Sequence, residues 1–254
     1  MTAYPEGCGV IFGATGGIGR AIASGMAELG SNLVIVYRNN AEAAEEISAK
    51  ARALGVESVI VQCDIRDAGA VGAVFLDAQA KFGRVHSAVD ATGVVHTFSR
   101  VPEMNPQHFR EVIESDIYGL FNIARAVVPM MRESGGGSLL AIGTYGLHTT
   151  LYGNSESSIS KSANQMMIRQ IAKEEGRRDI RADMIGAGTI DAGMAIVMRE
   201  GGSGENSFES FVKAVPLRRP GQAEELGDLA AFILSNKGTY ISGQIIHVDG
   251  GLTA

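Results

Sequence analysis

Two stretches carry residue types that could do chemistry. The first is "NSESSISKSANQMM" (154–167), where Lys161 lies among five serines as a helical pattern begins, one turn after Ser157. Serine caps helices well and most lysines at helix starts are solvated, so the pattern alone also fits a polar helix start. The second is "GATGGIGRAIA", with Gly13, Thr15, Gly17, Ile18 and Gly19 between an apolar run and a helical one. A glycine turn set between strand and helix lets backbone approach a pyrophosphate, while the helix start supplies N–H donors. Chance spacings are common in a chain with 33 glycines, so the flanking strand and helix carry the reading. The next strand ends "VIVYRNN". An acid there would hold a ribose 2′-hydroxyl, but Tyr37 and Arg38 stand instead, which suits a 2′-phosphate. Asp64, in "CDIRD", could accept from an adenine amine or simply start a turn.

The elements that must hold these residues alternate throughout the chain. Strand-length apolar runs occur at 8–13, 32–37, 58–63, 85–91, 138–143, 180–187 and 244–250. Helical patterns fall between them at 18–30, 41–55, 67–82, 106–133, 156–175 and 223–235. Near-continuous apolar strands separated by helices predict a parallel sheet covered on both faces. The expectation is one doubly wound Rossmann-type α/β domain over 1–254, with seven strands and ligands beyond their carboxyl ends. Hydrophobic residues make up 45% and charged residues 20%, enough for a substantial core. A net charge of -6 without a basic block argues against nucleic acid. With no signal-like start and no apolar run of membrane length, a cytoplasmic protein is expected. Cys8 and Cys63 lie in strand-like runs without metal-site spacing and read as small buried residues.

Together these pieces resemble the short-chain dehydrogenase/reductase family over nearly the whole chain. The glycine spacing of 13–19 matches, with Phe12 where the family usually has threonine. The tail "PLRRPGQAEELGDLAAFILSNKGTYISGQIIHVDGG" (216–251) is similar to the family's last helix and strand. "IGAGTIDAG" (185–193) resembles the segment after the sixth strand, with Ala187 for the usual proline. The resemblance implies that Ile190 offers its backbone to a nicotinamide amide, and that Asp64 contacts adenine. Gly93 closes "DATG", which begins at Asp90 where the family writes Asn-Asn-Ala-Gly. The family's catalytic Asn, Ser, Tyr and Lys fall on Asp116, Thr144, Ser157 and Lys161, so only the lysine is unchanged.

In the family the tyrosine donates a proton as hydride arrives, while the lysine lowers its pKa and holds the nicotinamide ribose. Ser157 is a far weaker acid than a phenol of pKa about 10. Losing a general acid costs about 10²- to 10⁴-fold, or roughly 3–5 kcal/mol. Orientation of the reactants contributes about 7–11 kcal/mol and does not need the tyrosine. Thr144 can still bond a substrate oxygen, and Asp116 matters chiefly through its backbone carbonyl, which in the family holds a relay water. Tyr145, one residue after Thr144, is the first candidate for a replacement proton donor and Tyr152 the second. The dienoyl-CoA reductase branch similarly has Ser-x-x-x-Lys with a tyrosine just after the fifth strand. His96 and His148 could also pass a proton near neutral pH, or be ordinary pocket-wall and surface residues.

Three functions follow. The leading one is an NADP(H)-dependent oxidoreductase acting on a small or medium-sized carbonyl, or on the alcohol in reverse. The second is reduction of a conjugated C=C bond in an enoyl or dienoyl thioester, with Tyr145 as donor. The third is a nucleotide-binding protein that has lost the chemistry. Residues 190–215 should cover the substrate, with apolar Met194, Ile196, Val197 and Met198 and a "GGSG" hinge. Apolar residues on several faces of 106–133 and 156–175 point to a homotetramer, with a dimer as the fallback.

Overall fold

The computed structural model describes residues 3–193, 195, 199 and 208–254. The apolar residues Met194, Ile196, Val197 and Met198 and the "GGSG" stretch therefore lie outside the described residues. Seven parallel strands form one sheet in the order β3-β2-β1-β4-β5-β6-β7. They are β1 (Cys8–Phe12), β2 (Asn32–Tyr37), β3 (Ser58–Gln62), β4 (Val85–Asp90), β5 (Gly137–Thr144), β6 (Ile180–Ala187) and β7 (Ile245–Val248). This is the seven-stranded doubly wound arrangement expected from the alternation of apolar runs and helices. The order reverses between β1 and β4, so a crevice opens there beyond the strand ends.

The helices are α1 (Gly17–Glu28), α2 (Ala41–Ala53), α3 (Ala68–Phe82), α4 (Pro106–Ile113), α5 (Gly119–Glu133), α6 (Ser155–Glu175), α7 (Phe208–Ala214) and α8 (Ala223–Leu234). Local chemistry sets several starts. Asn40, Asp67 and Asn105 each accept backbone N–H bonds in the turn that follows, and Pro106 occupies the first turn of α4. Gln222 and Glu225 form a reciprocal capping box at α8.

Alternating strand residues feed two apolar layers. Val10, Phe12 and Leu139 pack with Phe75, Leu120 and Ile123 on one face of the sheet. Ile11, Leu33 and Leu140 pack with Ile22, Met26 and Leu226 on the other. Each fully buried side chain of this size contributes about 1.5–3 kcal/mol relative to exposure. On the second face α1 and α8 approach backbone to backbone. A Cβ on Gly227 would lie 2.6 Å from the Ala21 carbonyl oxygen, so only glycine allows that spacing. Cys8 and Cys63 are free and buried, as their apolar settings implied.

The 106–133 pattern is not one uniform helix. Residues Glu114–Tyr118 form a π turn between α4 and α5. Such turns widen a helix locally and are frequent at functional sites. Apolar periodicity does not reveal this one, and it carries Asp116.

Candidate active site

Strand register brings the functional positions to one end of the sheet. Phe12 pairs with Asp90, Asp90 with Ala141, and Thr144 with Ala187, so the turns after β1, β4, β5 and β6 lie side by side. They enclose a cavity of about 370 Å³, lined among others by Gly17, Ile18, Gly19, Gly93, Thr144, Tyr145, Ser157, Lys161 and Ile190. The glycine turn is built without room for side chains. Gly13 has φ +74°, and a Cβ there would sit 2.5 Å from the Ala91 carbonyl oxygen. A Cβ on Gly17 would lie 2.6 Å from the Ala192 Cβ, and one on Gly19 would overlap the Gly13 carbonyl oxygen. This bare backbone at the start of α1 is what a pyrophosphate requires. Thr15 is half-buried in the same turn.

At the far side of β2 and β3, Arg38, Asn39, Asp64 and Arg66 line an open polar depression. Arg38 is exposed, and its carbonyl accepts from Gln62 Nε2 at 2.9 Å. The Asp64 carboxylate is not free: Arg66 Nε reaches its two oxygens at 2.9 and 3.1 Å. That guanidinium holds the Asp64 carboxyl below the usual carboxylate range. Two arginines and one engaged acid thus stand where the sequence offered Arg38 and a lone aspartate.

Lys161 sits at the inner end of the cavity. Its Nζ lies 3.2 Å from Asp116 Oδ2, with the two side chains 9% and 0% exposed. Ser160 Oγ donates to the same oxygen at 2.7 Å, and Asn164 Nδ2 donates to the Asp116 carbonyl at 3.1 Å. Asp116 thus acts through its carboxylate as well as its backbone, which the sequence comparison had emphasised. The π turn makes this possible by carrying Asp116 inward, against α6. Ser160 and Asn164 were not foreseen; both are polar positions on the α6 face that carries Lys161. Ser157 lines the cavity one turn before Lys161.

Asp90 is 2% exposed and accepts from the Thr92 N–H at 3.0 Å and from Thr92 Oγ1 at 2.6 Å. Burial pushes its carboxyl up, an effect opposed by Lys161 and by the Thr92 bonds. Thr144 Oγ1 accepts from the Gly146 N–H at 3.1 Å, which leaves its own O–H able to donate into the cavity. Tyr145 is 7% exposed. Burial raises its phenol, while a hydrogen bond with the Thr189 side chain works the other way. Tyr152 is 72% exposed, and His148 meets His247 edge-on outside the cavity wall.

The segment after β4 is pinned by residues that sequence reasoning missed. Glu156, only 1% exposed, accepts from the Thr97 N–H and from Thr97 Oγ1, both at 2.9 Å. His108 on α4 bonds the Val95 carbonyl through Nε2 at 3.1 Å and lies 3.5 Å from Glu156. In the sequence Glu156 looks like an acid favouring a helix start, a role it keeps in the first turn of α6. Its burial has no sequence signal. Among the described residues, no group of three His, Cys, Asp or Glu side chains is placed to hold a metal, and no helix is long and apolar enough to cross a membrane.

Sheet order and glycine turn define a dinucleotide-binding α/β protein. A family model described as enoyl-(acyl carrier protein) reductase matches residues 13–253. The chain is 28% identical over 243 residues to a 3-oxoacyl-[acyl-carrier-protein] reductase of Staphylococcus aureus, covering 96% of each. It is 29% identical over 246 residues to the 7alpha-hydroxysteroid dehydrogenase of Escherichia coli, covering 96% of this chain and 93% of the relative. A solved 7alpha-hydroxysteroid dehydrogenase, complexed with NADH and 7-oxo glycochenodeoxycholic acid, superposes with a TM-score of 0.88 at 27% identity, covering 98% of this chain and 96% of the other. The chain belongs to the short-chain dehydrogenase/reductase family, whose members are oxidoreductases that use a nicotinamide cofactor on small molecules.

Proposed function

We propose that the protein is an NADP(H)-dependent oxidoreductase that reduces a small or medium-sized carbonyl, or oxidises the corresponding alcohol. The observation that carries this reading is the single cavity that joins the glycine turn to Thr144 and Lys161. Gly13, Thr15, Gly17, Ile18 and Gly19 would hold the pyrophosphate, Arg38 the 2′-phosphate, Asp64 the adenine side, and Gly93 and Ile190 the nicotinamide end. Bound there, the cofactor supplies or takes up hydride. Thr144 donates its free O–H to the substrate oxygen. Lys161 holds the nicotinamide ribose and keeps positive charge near that oxygen, steadied from behind by Asp116. Ser157 replaces the family's tyrosine and packs beside the substrate without acting as an acid. The relatives, a 3-oxoacyl reductase and a hydroxysteroid dehydrogenase, favour carbonyl–alcohol chemistry. The protein works in the cytoplasm on a small-molecule substrate.

Titrating NADPH and NADH into wild type and Arg38→Ala tests the cofactor assignment. A charge-assisted bond contributes about 1.5–3 kcal/mol, so NADPH should bind roughly 10- to 150-fold more tightly than NADH, and Arg38→Ala should remove the difference. Equal affinities in wild type refute it. A screen of aldehydes, ketones, enones and enoyl thioesters then defines the substrate class. Reduction of a C=C bond is the second reading, favoured by the matched model's description and by Tyr145 in the cavity wall. Tight NADPH binding with no oxidation by any class of acceptor would leave a nucleotide-binding protein without chemistry.

A further inference from the structure

We infer that His96 is the catalytic residue that exchanges the proton with the substrate oxygen in this site. The inference rests on the oxidoreductase reading above and supplies the step that Ser157 cannot perform. His96 lines the same cavity as Ser157, Thr144 and Lys161, and its Nδ1 is buried with no hydrogen-bond partner. An unpaired buried ring nitrogen is costly unless a ligand completes it. The backbone on either side of His96 is fixed. The Val95 carbonyl is held by His108, and Thr97 gives both its N–H and its O–H to Glu156. Glu156 immediately precedes Ser157, so this clamp sets His96 against the turn of α6 where the family carries its acid.

Tyr145 is placed differently. Its hydroxyl is engaged with Thr189, and its electrostatic partner is Asp249 rather than Lys161. Burial makes it a weaker acid than a free phenol. His96, by contrast, feels Asp116 from the π turn, Lys161 and Glu156 from α6, and His108 from α4. The two acids favour its protonated form, while Lys161, His108 and, most strongly, burial oppose it, leaving its pKa below the ordinary histidine value. In the reductive direction hydride adds to the carbonyl carbon. The π pair of the C=O bond takes the imidazolium proton to form O–H, and the imidazole is left neutral as the nicotinamide is oxidised. In the oxidative direction neutral His96 removes the hydroxyl proton.

The sign of the pH dependence follows from that lowered pKa. Carbonyl reduction should rise as pH falls through a midpoint below 6.5, and alcohol oxidation should rise in the opposite sense. Tyr145 as donor would keep reduction flat from acid to well above neutral pH, because its pKa is raised. His96→Gln should lower turnover at least about tenfold at pH 6, with NADPH affinity retained, and should abolish the acid limb. Tyr145→Phe should leave that limb in place. A second readout needs no turnover. In histidine NMR of the protein without added cofactor, the resonance missing from His96→Gln should titrate to higher pH in Lys161→Met and to lower pH in Asp116→Asn.

Opposite shifts together with loss of the limb support the assignment. An active wild type whose His96→Gln variant keeps both rate and limb overturns it, as does a His96 resonance that ignores both substitutions. A wild type that turns over no carbonyl overturns the carbonyl–alcohol reading and the proton step with it. The NMR shifts then still report whether His96 lies between the two charges.

Discussion

Lys161→Met should destabilise the protein before it reports anything about catalysis. The substitution removes the Nζ that lies 3.2 Å from Asp116 Oδ2. It leaves a fully buried carboxylate with Ser160 Oγ on that oxygen and nothing on Oδ1. Breaking a buried ion pair from one side costs about 3–5 kcal/mol, because the remaining charge stays desolvated. The lower end applies here, since Ser160 still donates to the stranded oxygen. A chain of this size loses about 2–4 °C of melting temperature per kcal/mol, so the fall should be roughly 6–12 °C at the lower figure. Asp116→Asn should cost less, because the stranded Lys161 ammonium lines a water-accessible cavity. The double variant Lys161→Met/Asp116→Asn should be more stable than Lys161→Met alone. Urea unfolding of all four proteins at pH 7.5 gives the coupling directly, and about 2 kcal/mol is expected. Additivity within about 0.5 kcal/mol would show that the pair stores no energy and would refute the reasoning. The cycle also separates two losses that activity alone would merge.

Two further expectations follow. Burial raises the Asp90 pKa in the folded state, so any stabilisation from its neutral form is present at low pH and is lost as pH rises through the folded value. Asp90→Asn, which keeps an acceptor for Thr92, should therefore gain stability relative to wild type between pH 4 and 7.5; a relative loss over that interval in urea unfolding refutes it. The exposed Phe121, Met166 and Tyr118 on α5, α6 and the π turn, with an open groove lined by Phe121, Val128 and Met166, are the basis for expecting a homotetramer. Light scattering at micromolar concentration should give a mass near four times 26.7 kDa, a dimer being the fallback and a monomer the refutation.

The inner strands β1, β2 and β4 were legible because they are buried on both faces and so read as nearly unbroken apolar runs, while the edge strands β3 and β7 are only partly buried. "CGVIFG", "NLVIVY" and "SLLAIG" could hardly be anything else in this alternation, and the structure places β1, β2 and β5 on them. The glycine turn was legible for a related reason. Its function is to have no side chains, and that absence is written directly into residues 13–19. Positions in glycine turns and just past strand ends are set by such local rules. Arg38 and Asp64 were read the same way, from their place just past a strand. What escaped was their third partner, Arg66, because an Asp–Arg pair two residues apart looks like any exposed charge pair.

The proton-handling end of the site is long-range and therefore hidden. Asp116 meets Lys161 across 45 positions, Thr97 meets Glu156 across 59, and the π turn that aims Asp116 leaves no mark on the apolar periodicity. Sequence proximity favoured Tyr145, since it follows Thr144 directly. Yet although both residues line the cavity, the Tyr145 phenol is engaged with Thr189 while Thr144 keeps its own O–H free to donate. His96 lies 48 residues earlier and reaches the same helix turn only because Glu156 and His108 hold its flanks. On the proposed function, a site that has exchanged its acid would keep its hydride geometry, because the glycine turn and Lys161 would fix that independently. The replacement can then come from any loop the scaffold already brings to the cavity, and here the loop after β4 is tied to α6 through Thr97 and Glu156 and to α4 through Val95 and His108.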